Sequence, residues 1–290
     1  MDIVLALAAA LFFAFGTVLQ QKAGLEKPSE GSSAGLLVQM ARRPVWLAGI
    51  AADALGFVCQ AVALAIGRLA VVQPLLVSTV VFALPLGARF TGQKVKRIDV
   101  GAALLVVVAL IGFLTIADPS GGRDDAPLDE WLLAGGVCIA VCVPLTILGR
   151  FGSAPRRAAL LGTATGVLFA LSAALTKVVA DQFDDGVLEI FTHWHLYALI
   201  VVGYASMTYN QLALNTGALA PAVATSLAFD PITSVILGVT LLQESLHTTT
   251  PQLVGTVIAL AAALAGMAVL ARSQSEAQSV QAPVSAPATA

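Results

Sequence analysis

Ala213-Leu214-Asn215-Thr216-Gly217-Ala218-Leu219-Ala220 repeats, in register, a phrase the chain has already carried as Ala63-Leu64-Ala65-Ile66-Gly67-Arg68-Leu69-Ala70. Both read Ala-Leu-x-x-Gly-x-Leu-Ala. In each copy one long apolar run ends at the glycine and another begins directly after it. A short polar turn and a glycine-led apolar run follow, Gly101 to Ala117 in one case and Gly255 to Ala271 in the other. The shared order of whole segments, more than the matched letters, marks an internal duplication. Duplicated hydrophobic halves are a common build of membrane carriers. The alternative reading of such a duplication is a static membrane scaffold.

Composition sets the class. Hydrophobic residues make up 58% of the 290 and charged residues 11%, with a mean hydropathy of +0.90. Soluble domains carry about 25% charged residues. The chain therefore reads as an all-α, polytopic membrane protein whose first partner is the lipid bilayer. A net charge of −2 leaves no basic face for nucleic acid. Cys59, Cys138 and Cys142 all lie inside apolar runs and read as small buried hydrophobes. No metal-ligand spacing, P-loop or dinucleotide fingerprint is present, and no nucleophile–base pair sits at depth. Neither an enzyme nor a resident cofactor is expected. The chain begins Met1-Asp2 without a positive n-region, so its first apolar segment is expected to be a span and not a cleaved signal.

Nine runs are long enough to cross a hydrocarbon core, at about 3–23, 45–66, 69–90, 98–117, 131–149, 158–180, 194–215, 219–241 and 251–271. Between the first two, residues 31–40 are too short to span and read as a surface helix or loop. Basic residues then set the orientation. Alternate loops on one side hold Lys22, Lys27, Arg42, Arg43, Arg89, Lys94, Lys96, Arg97, Arg150, Arg156, Arg157 and Arg272, which is 12 of the 15. The other side holds Arg68 and Arg123, with Lys177 at its edge, and the acidic loops 118–130 and 181–189. Positive-inside makes the first side cytoplasmic, the N-terminus external and the C-terminus cytoplasmic, in the cell membrane.

An odd number of spans explains the repeat. Spans 1–4 (residues 1–117) form one half and spans 6–9 (158–272) the other. Residues 118–157, with span 5, connect them and invert the second half. Span 6 echoes span 1, since residues 169–177 (FALSAALTK) align with residues 13–21 (FAFGTVLQQ). The expected architecture is an inverted-topology repeat of four plus four helices, the arrangement that permits alternating access. Residues 273–290, rich in Ser, Ala, Pro and Gln, read as a disordered tail.

Ionisable groups inside a membrane are costly and mark pathways or paired sites. Asp53 lies near the middle of span 2 and Asp230 near the middle of span 8. Each is a candidate ligand for a cation or proton, and the pair would be the metal ligands of a cation carrier. The plainer role for either is a hydrogen bond to a neighbouring helix. Asp230 is followed by Pro231, which frees the carbonyl of Leu227. Ser226 and Thr233 share its face, so an interrupted helix with a midplane site is expected there; an ordinary proline kink is the alternative. Tyr204, Thr208, Gln211 and Asn215 form a polar stripe on span 7. Asp53 and Gln60 occupy the corresponding face of span 2. Gln20 and Gln21 close the polar end of span 1, and Thr176 and Lys177 that of span 6. Polarity on five spans points to a solvated cavity. Gly162 and Gly166 form a G-x-x-x-G that reads as close helix packing and supports no dimer face; a homodimer stays open as a partner. His193 and His195 near Glu189 read as part of an interfacial belt with Trp194 and Tyr197, or else as a metal site.

The second hairpin closes with Leu241-Leu242-Gln243-Glu244-Ser245-Leu246, then Gln252-Leu253-Val254-Gly255 and an apolar run. This resembles the Glu-then-Gly signature that ends each half in the drug/metabolite transporter superfamily, the EamA-like proteins. The first half departs from it, with Gln93 where the acid would stand. The nine-span layout is similar to the NIPA-type magnesium transporters. So are Gly16 to Leu25 with its Gln-Gln-Lys-Ala-Gly-Leu ending, Trp46-Leu47-Ala48-Gly49, and Gln73-Pro74-Leu75. That pattern has a Gly-Glu pair in span 2, whereas here Phe57 follows Gly56 and Asp53 lies one turn earlier. The resemblance implies a carrier of a small solute, or alternatively of Mg²⁺ or another divalent cation.

Overall fold

Alanine, leucine and valine dominate runs of about 20 residues, and in hydrocarbon such runs must satisfy every backbone group internally, which selects the helix. In a computed structural model, residues 1–25, 43–186, 188–246 and 249–281 are described; the expectation for residues 31–40 lies outside them. The long elements are α1 (Asp2–Leu25), α2 (Pro44–Ile66), α3 (Leu69–Leu76), α4 (Ser78–Phe90), α5 (Arg97–Ala117), α6 (Leu128–Gly149), α7 (Ala154–Asp181), α8 (Trp194–Leu214), α9 (Leu219–Thr240) and α10 (Thr250–Gln281). Taking α3 and α4 as one span, Leu69–Phe90, eight helices among the described residues are long and apolar enough to cross a membrane. The chain is an all-α, multi-pass membrane protein. Helix α8 matches the others in length with 21 residues, but its stripe of Tyr, Thr, Gln and Asn leaves it less apolar.

The pairing of helices follows small residues. Helix α7 is buried along most of its length and packs against α6, α8, α9 and α2. Its sequence explains this. A Cβ added to Gly162 would lie 2.3 Å from the carbonyl oxygen of Ala222, and one on Gly166 would lie 2.6 Å from that of Ser226. The G-x-x-x-G pair thus seats α9 backbone-to-backbone on α7, an internal contact. Helix α1 packs on α2 in the same manner, through Gly16 and Gly49. Helices α5 and α10 form a third pair, where Gly266 meets the carbonyl of Ala102. Helix α6 turns Cys138 and Cys142 toward α7 and leaves Leu132, Leu133, Val137 and Ile139 exposed to the bilayer.

Two local expectations are corrected. Helix α9 runs unbroken from Leu219 to Thr240 through Pro231. The interrupted span is the third one, which breaks at Val77 between α3 and α4. There the Ser78 and Thr79 hydroxyls donate to the carbonyls of Leu75 and Leu76, each at 2.6 Å, and compete with the helical ladder. The last helix continues to Gln281, past the expected start of a tail at Ser273. Its Ser-Gln-Ser-Glu-Ala-Gln run contains no glycine or proline to stop a helix already propagating; residues 282–290 lie outside the described residues.

One short strand pair completes the fold. Ser120–Gly121, after α5, pairs antiparallel with Glu244–Ser245, after α9. It joins the loop following the fourth span to the loop before the last, at the end where Gly67 and Asp2 also meet.

Candidate functional site

Asp53 is held at the α1–α2 crossing. Gln20 Nε2 donates to its Oδ2 at 2.5 Å. A Cβ on Gly16 would overlap the Asp53 carboxylate, and one on Gly49 would lie 2.9 Å from Cγ of Gln20. The two glycines therefore make room for an amide–carboxylate pair between the helices. Gln20 and Asp53, singled out separately, are brought together. Gln21 and Gln60 lie half-buried on the same two helices.

Asp230 sits on another crossing. Its backbone N–H lies 2.8 Å from the position of a Cβ on Gly166, and Ser234 Oγ donates to its Oδ1 at 3.3 Å. The bonded hydroxyl is thus at i+4, where neither Ser226 nor Thr233 stands; those two remain half-buried on α9. Asp53 and Asp230 belong to two different helix pairs, α1–α2 and α7–α9.

The stripe on α8 is not packed against α7. Tyr204, Thr208, Gln211 and Asn215 are all exposed, Tyr204 at 77%. Periodicity correctly puts them on one face, but that face is turned away from α7. The neighbouring Tyr209 instead meets Thr146 of α6, 3.0 Å from hydroxyl to hydroxyl.

The densest polar arrangement is at the end where Gly67 and Asp2 meet, and centres on residues 66–69. Helix α2 ends at Ile66 with unsatisfied carbonyls, and α3 starts at Leu69 with unsatisfied N–H groups. Lys177 Nζ donates to the carbonyls of Leu64 and Gly67, each at 3.0 Å. Glu244 Oε1 accepts the N–H of Leu69 at 2.6 Å and its Oε2 that of Ala70 at 2.9 Å. A cation therefore stands on a helix C-terminus and an anion on a helix N-terminus, as the helix dipoles favour. Lys177, with 7% exposure, and Glu244, with 2%, are both buried. The Asp181 carboxylate lies 3.5 Å from Lys177 Nζ. Burial pushes the Glu244 carboxyl above the usual carboxylate range, against the two N–H bonds and the nearby Lys177 and Arg68, which pull it down.

Other ties surround this pair. Arg68 Nε donates to the carbonyl of Gly121 at 3.2 Å. Arg123 donates to the carbonyl of Leu241 through Nη2 at 2.7 Å and pairs with Glu130. His195 is caged by Trp131 and Trp194, with its Nε2 3.2 Å from Asp125 Oδ1 and its Nδ1 3.1 Å from Gln182 Nε2. His193 stands beside it. Among the described residues no three His, Cys, Asp or Glu side chains gather as a metal-binding group.

The reach of Glu244 depends on Gly238, where a Cβ would lie 2.4 Å from its Oε2. Gln243, at φ 53, makes the left-handed turn that folds Glu244 back over the end of α9. The same device recurs after α4. Gly92, at φ 71, turns the chain, and Gln93 Oε1 lies 2.8 Å from where a Cβ on Gly87 would stand. Each member of the first set, Gly87, Gly92 and Gln93, is 151 residues before its counterpart Gly238, Gln243 and Glu244.

Sequence reasoning treated Lys177 as a cavity-lining polar end and Glu244 as a family signature. Their joint role was out of reach, because their partners lie 110 to 175 residues away in the chain. Asp99, fully buried and accepting the Lys96 N–H at 2.7 Å at the start of α5, was also missed; an acid in the first turn of an apolar run was the available signal.

No family model matches the chain, and no solved structure matches it. An uncharacterized protein of Corynebacterium glutamicum is 33% identical to it over 244 residues, which is 83% of this chain and 84% of the relative. With that identity over nearly the whole of both chains, this multi-pass membrane protein belongs to the same family as the Corynebacterium protein.

Proposed function

We propose that the chain is an integral membrane transporter of the drug/metabolite transporter superfamily, EamA-like and of nine spans, that moves a small solute by alternating access. The observation that carries this reading is the repeated device at the two helix ends, Gln93 folded over Gly87 and Glu244 folded over Gly238. Helix pairing supports it. The α1–α2 pair corresponds to α7–α8, α1 on α3 and α4 corresponds to α7 on α9, and α4–α5 corresponds to α9–α10. The α5–α10 and α3–α9 pairs join corresponding helices of the two halves, as contacts on a pseudo-two-fold axis would. The basic loops put the end holding Gly67 and Glu244 outside, with the C-terminus in the cytoplasm.

Asp230, at the middle of the α7–α9 crossing, is the proposed contact for a coupling ion or a charged solute group. Uptake into proteoliposomes of purified protein, across a panel of small metabolites and metal ions, tests the reading. Asp230→Asn keeps size and hydrogen-bonding capacity and removes only the charge. Coupled transport is expected to fall to background while the protein still purifies folded; wild-type rates would remove Asp230 from the site. Asp53→Asn separates the two cargo classes. A NIPA-like Mg²⁺ carrier that uses both acids loses flux in both variants, whereas an organic-solute carrier loses it only at Asp230. A static scaffold moves none of the panel.

A further inference from the structure

We propose that Glu244 and Lys177 latch a closed gate on the external face, and that the transport cycle requires this latch to release; the proposal rests on the carrier reading above. Both residues belong to the second half of the chain, and both hold backbone of the first. Lys177 grips the end of α2 through Leu64 and Gly67, while Glu244 grips the start of α3 through Leu69 and Ala70. The Ser120–Gly121 strand paired with Glu244–Ser245 ties the connector to the same corner. The Lys177 and Glu244 ties bridge the two units that alternating access must separate on one face of the membrane. By contrast, at the cytoplasmic end the Gln93 side chain lies over Gly87, within the first half.

The choice of residues also differs between the two ends. In the repeat alignment the counterpart of Glu244 is Gln93, and the counterpart of Lys177 is Gln21. Two buried charges on the external face replace two neutral amides. Each carboxylate oxygen of Glu244 accepts one backbone N–H, where an amide has a single acceptor oxygen, so the external gate is built to be held and the cytoplasmic end to part more easily. Gln73 lies one turn below this latch in α3, with 3% exposure and its Nε2 unpaired, behind the closed face. It is the position that external opening should uncover.

The test is labelling from outside. The three native cysteines are replaced by serine, Gln73→Cys is added, and right-side-out vesicles are exposed to a membrane-impermeant maleimide. Glu244→Ala removes both acceptors from α3 and is expected to speed labelling roughly tenfold, from the loss of a charged cap. Glu244→Gln keeps one of the two acceptors and should give a rate between the parent and Glu244→Ala. If Glu244→Ala disturbs folding, Lys177→Gln provides a second variant and should raise labelling in the same direction. Unchanged labelling in Glu244→Ala and in Lys177→Gln, in protein that transports a panel solute, overturns the gate and leaves the carrier reading intact. Faster labelling in protein whose parent moves no solute overturns the carrier reading, and the gate with it.

Discussion

The two ends of this molecule are built from the same plan with different chemistry. At the end that holds Gly67, a helix end turns through a left-handed residue, folds an acid over a glycine, and plants that acid on the start of α3. After α4, the corresponding turn folds an amide over a glycine. The lesson concerns what the proposed duplication would preserve. The glycine and the turn are conditions of backbone geometry, and both sites keep them. The side chain at the tip is free to diverge once the geometry is met, and the backbone groups it bonds then decide how firmly that end is held.

Lys177 offers the sharpest way to break this comparison. Lys177→Met would leave the carbonyls of Leu64 and Gly67 without their donor and leave Asp181 without a cation 3.5 Å away. Removing one member of a buried ion pair costs about 3–5 kcal/mol. The matching change at the cytoplasmic end, Gln21→Met, removes a half-buried amide and should cost less than about 1 kcal/mol. Thermal unfolding in detergent should therefore show a clear fall for Lys177→Met and almost none for Gln21→Met. Equal losses would mean that charge adds nothing to the external end.

A smaller effect comes from the glycines. In Gly238→Ala the new methyl would meet Glu244 Oε2 at 2.4 Å, and that oxygen is pinned by the N–H of Ala70. The latch must shift, at a cost of about 1–2 kcal/mol. In Gly87→Ala the methyl meets Gln93 Oε1 at 2.8 Å, the end of a neutral side chain. The same unfolding measurement should rank Gly238→Ala as the more harmful. The reverse order would contradict the assignment of the firmer contact to the external end.

Most of the helices were legible because membrane crossing demands a long apolar run, and such runs stand out in any sequence. Direction was not legible. The period of 3.6 places Tyr204, Thr208, Gln211 and Asn215 on one face of α8, but only the packing on α7 shows that this face is exposed. Helix breaks were misjudged for a related reason. Pro231 is absorbed into α9, whereas the third span is interrupted at Val77, where Ser78 and Thr79 bond back to Leu75 and Leu76. Asp53 and Asp230 stood out as acids in apolar runs. Gln20 as the partner of Asp53 had no local signal, because it lies on another helix 33 residues away. The contact of Glu244 with Leu69 was the least legible feature, since it spans 175 residues and only the fold brings the two together.

The smallest expected effect is a dependence of the external gate on pH. In the closed state burial raises the Glu244 carboxyl above the usual range. In an opened state the same carboxyl would be hydrated and return toward an ordinary glutamate value. The closed state then binds the proton more tightly than the open one, so by linkage acid favours closure. As pH rises through the raised value, the ionised group carries a burial cost that opening relieves, and the gate loosens. The groups facing Glu244 limit the effect: Arg68 and Lys177 both favour its ionised form, and Asp181 shares Lys177. External labelling of the Gln73→Cys reporter should therefore rise modestly as the outside pH is raised from acid toward neutral, after correction for the reactivity of the thiol itself. Glu244→Gln cannot titrate and should flatten that response. The Gly87–Gln93 end has no titratable side chain in the matching position, so a cytoplasmic reporter should show no comparable dependence. A pH response that persists unchanged in Glu244→Gln would assign the titration to another group and separate the charge of the latch from its control.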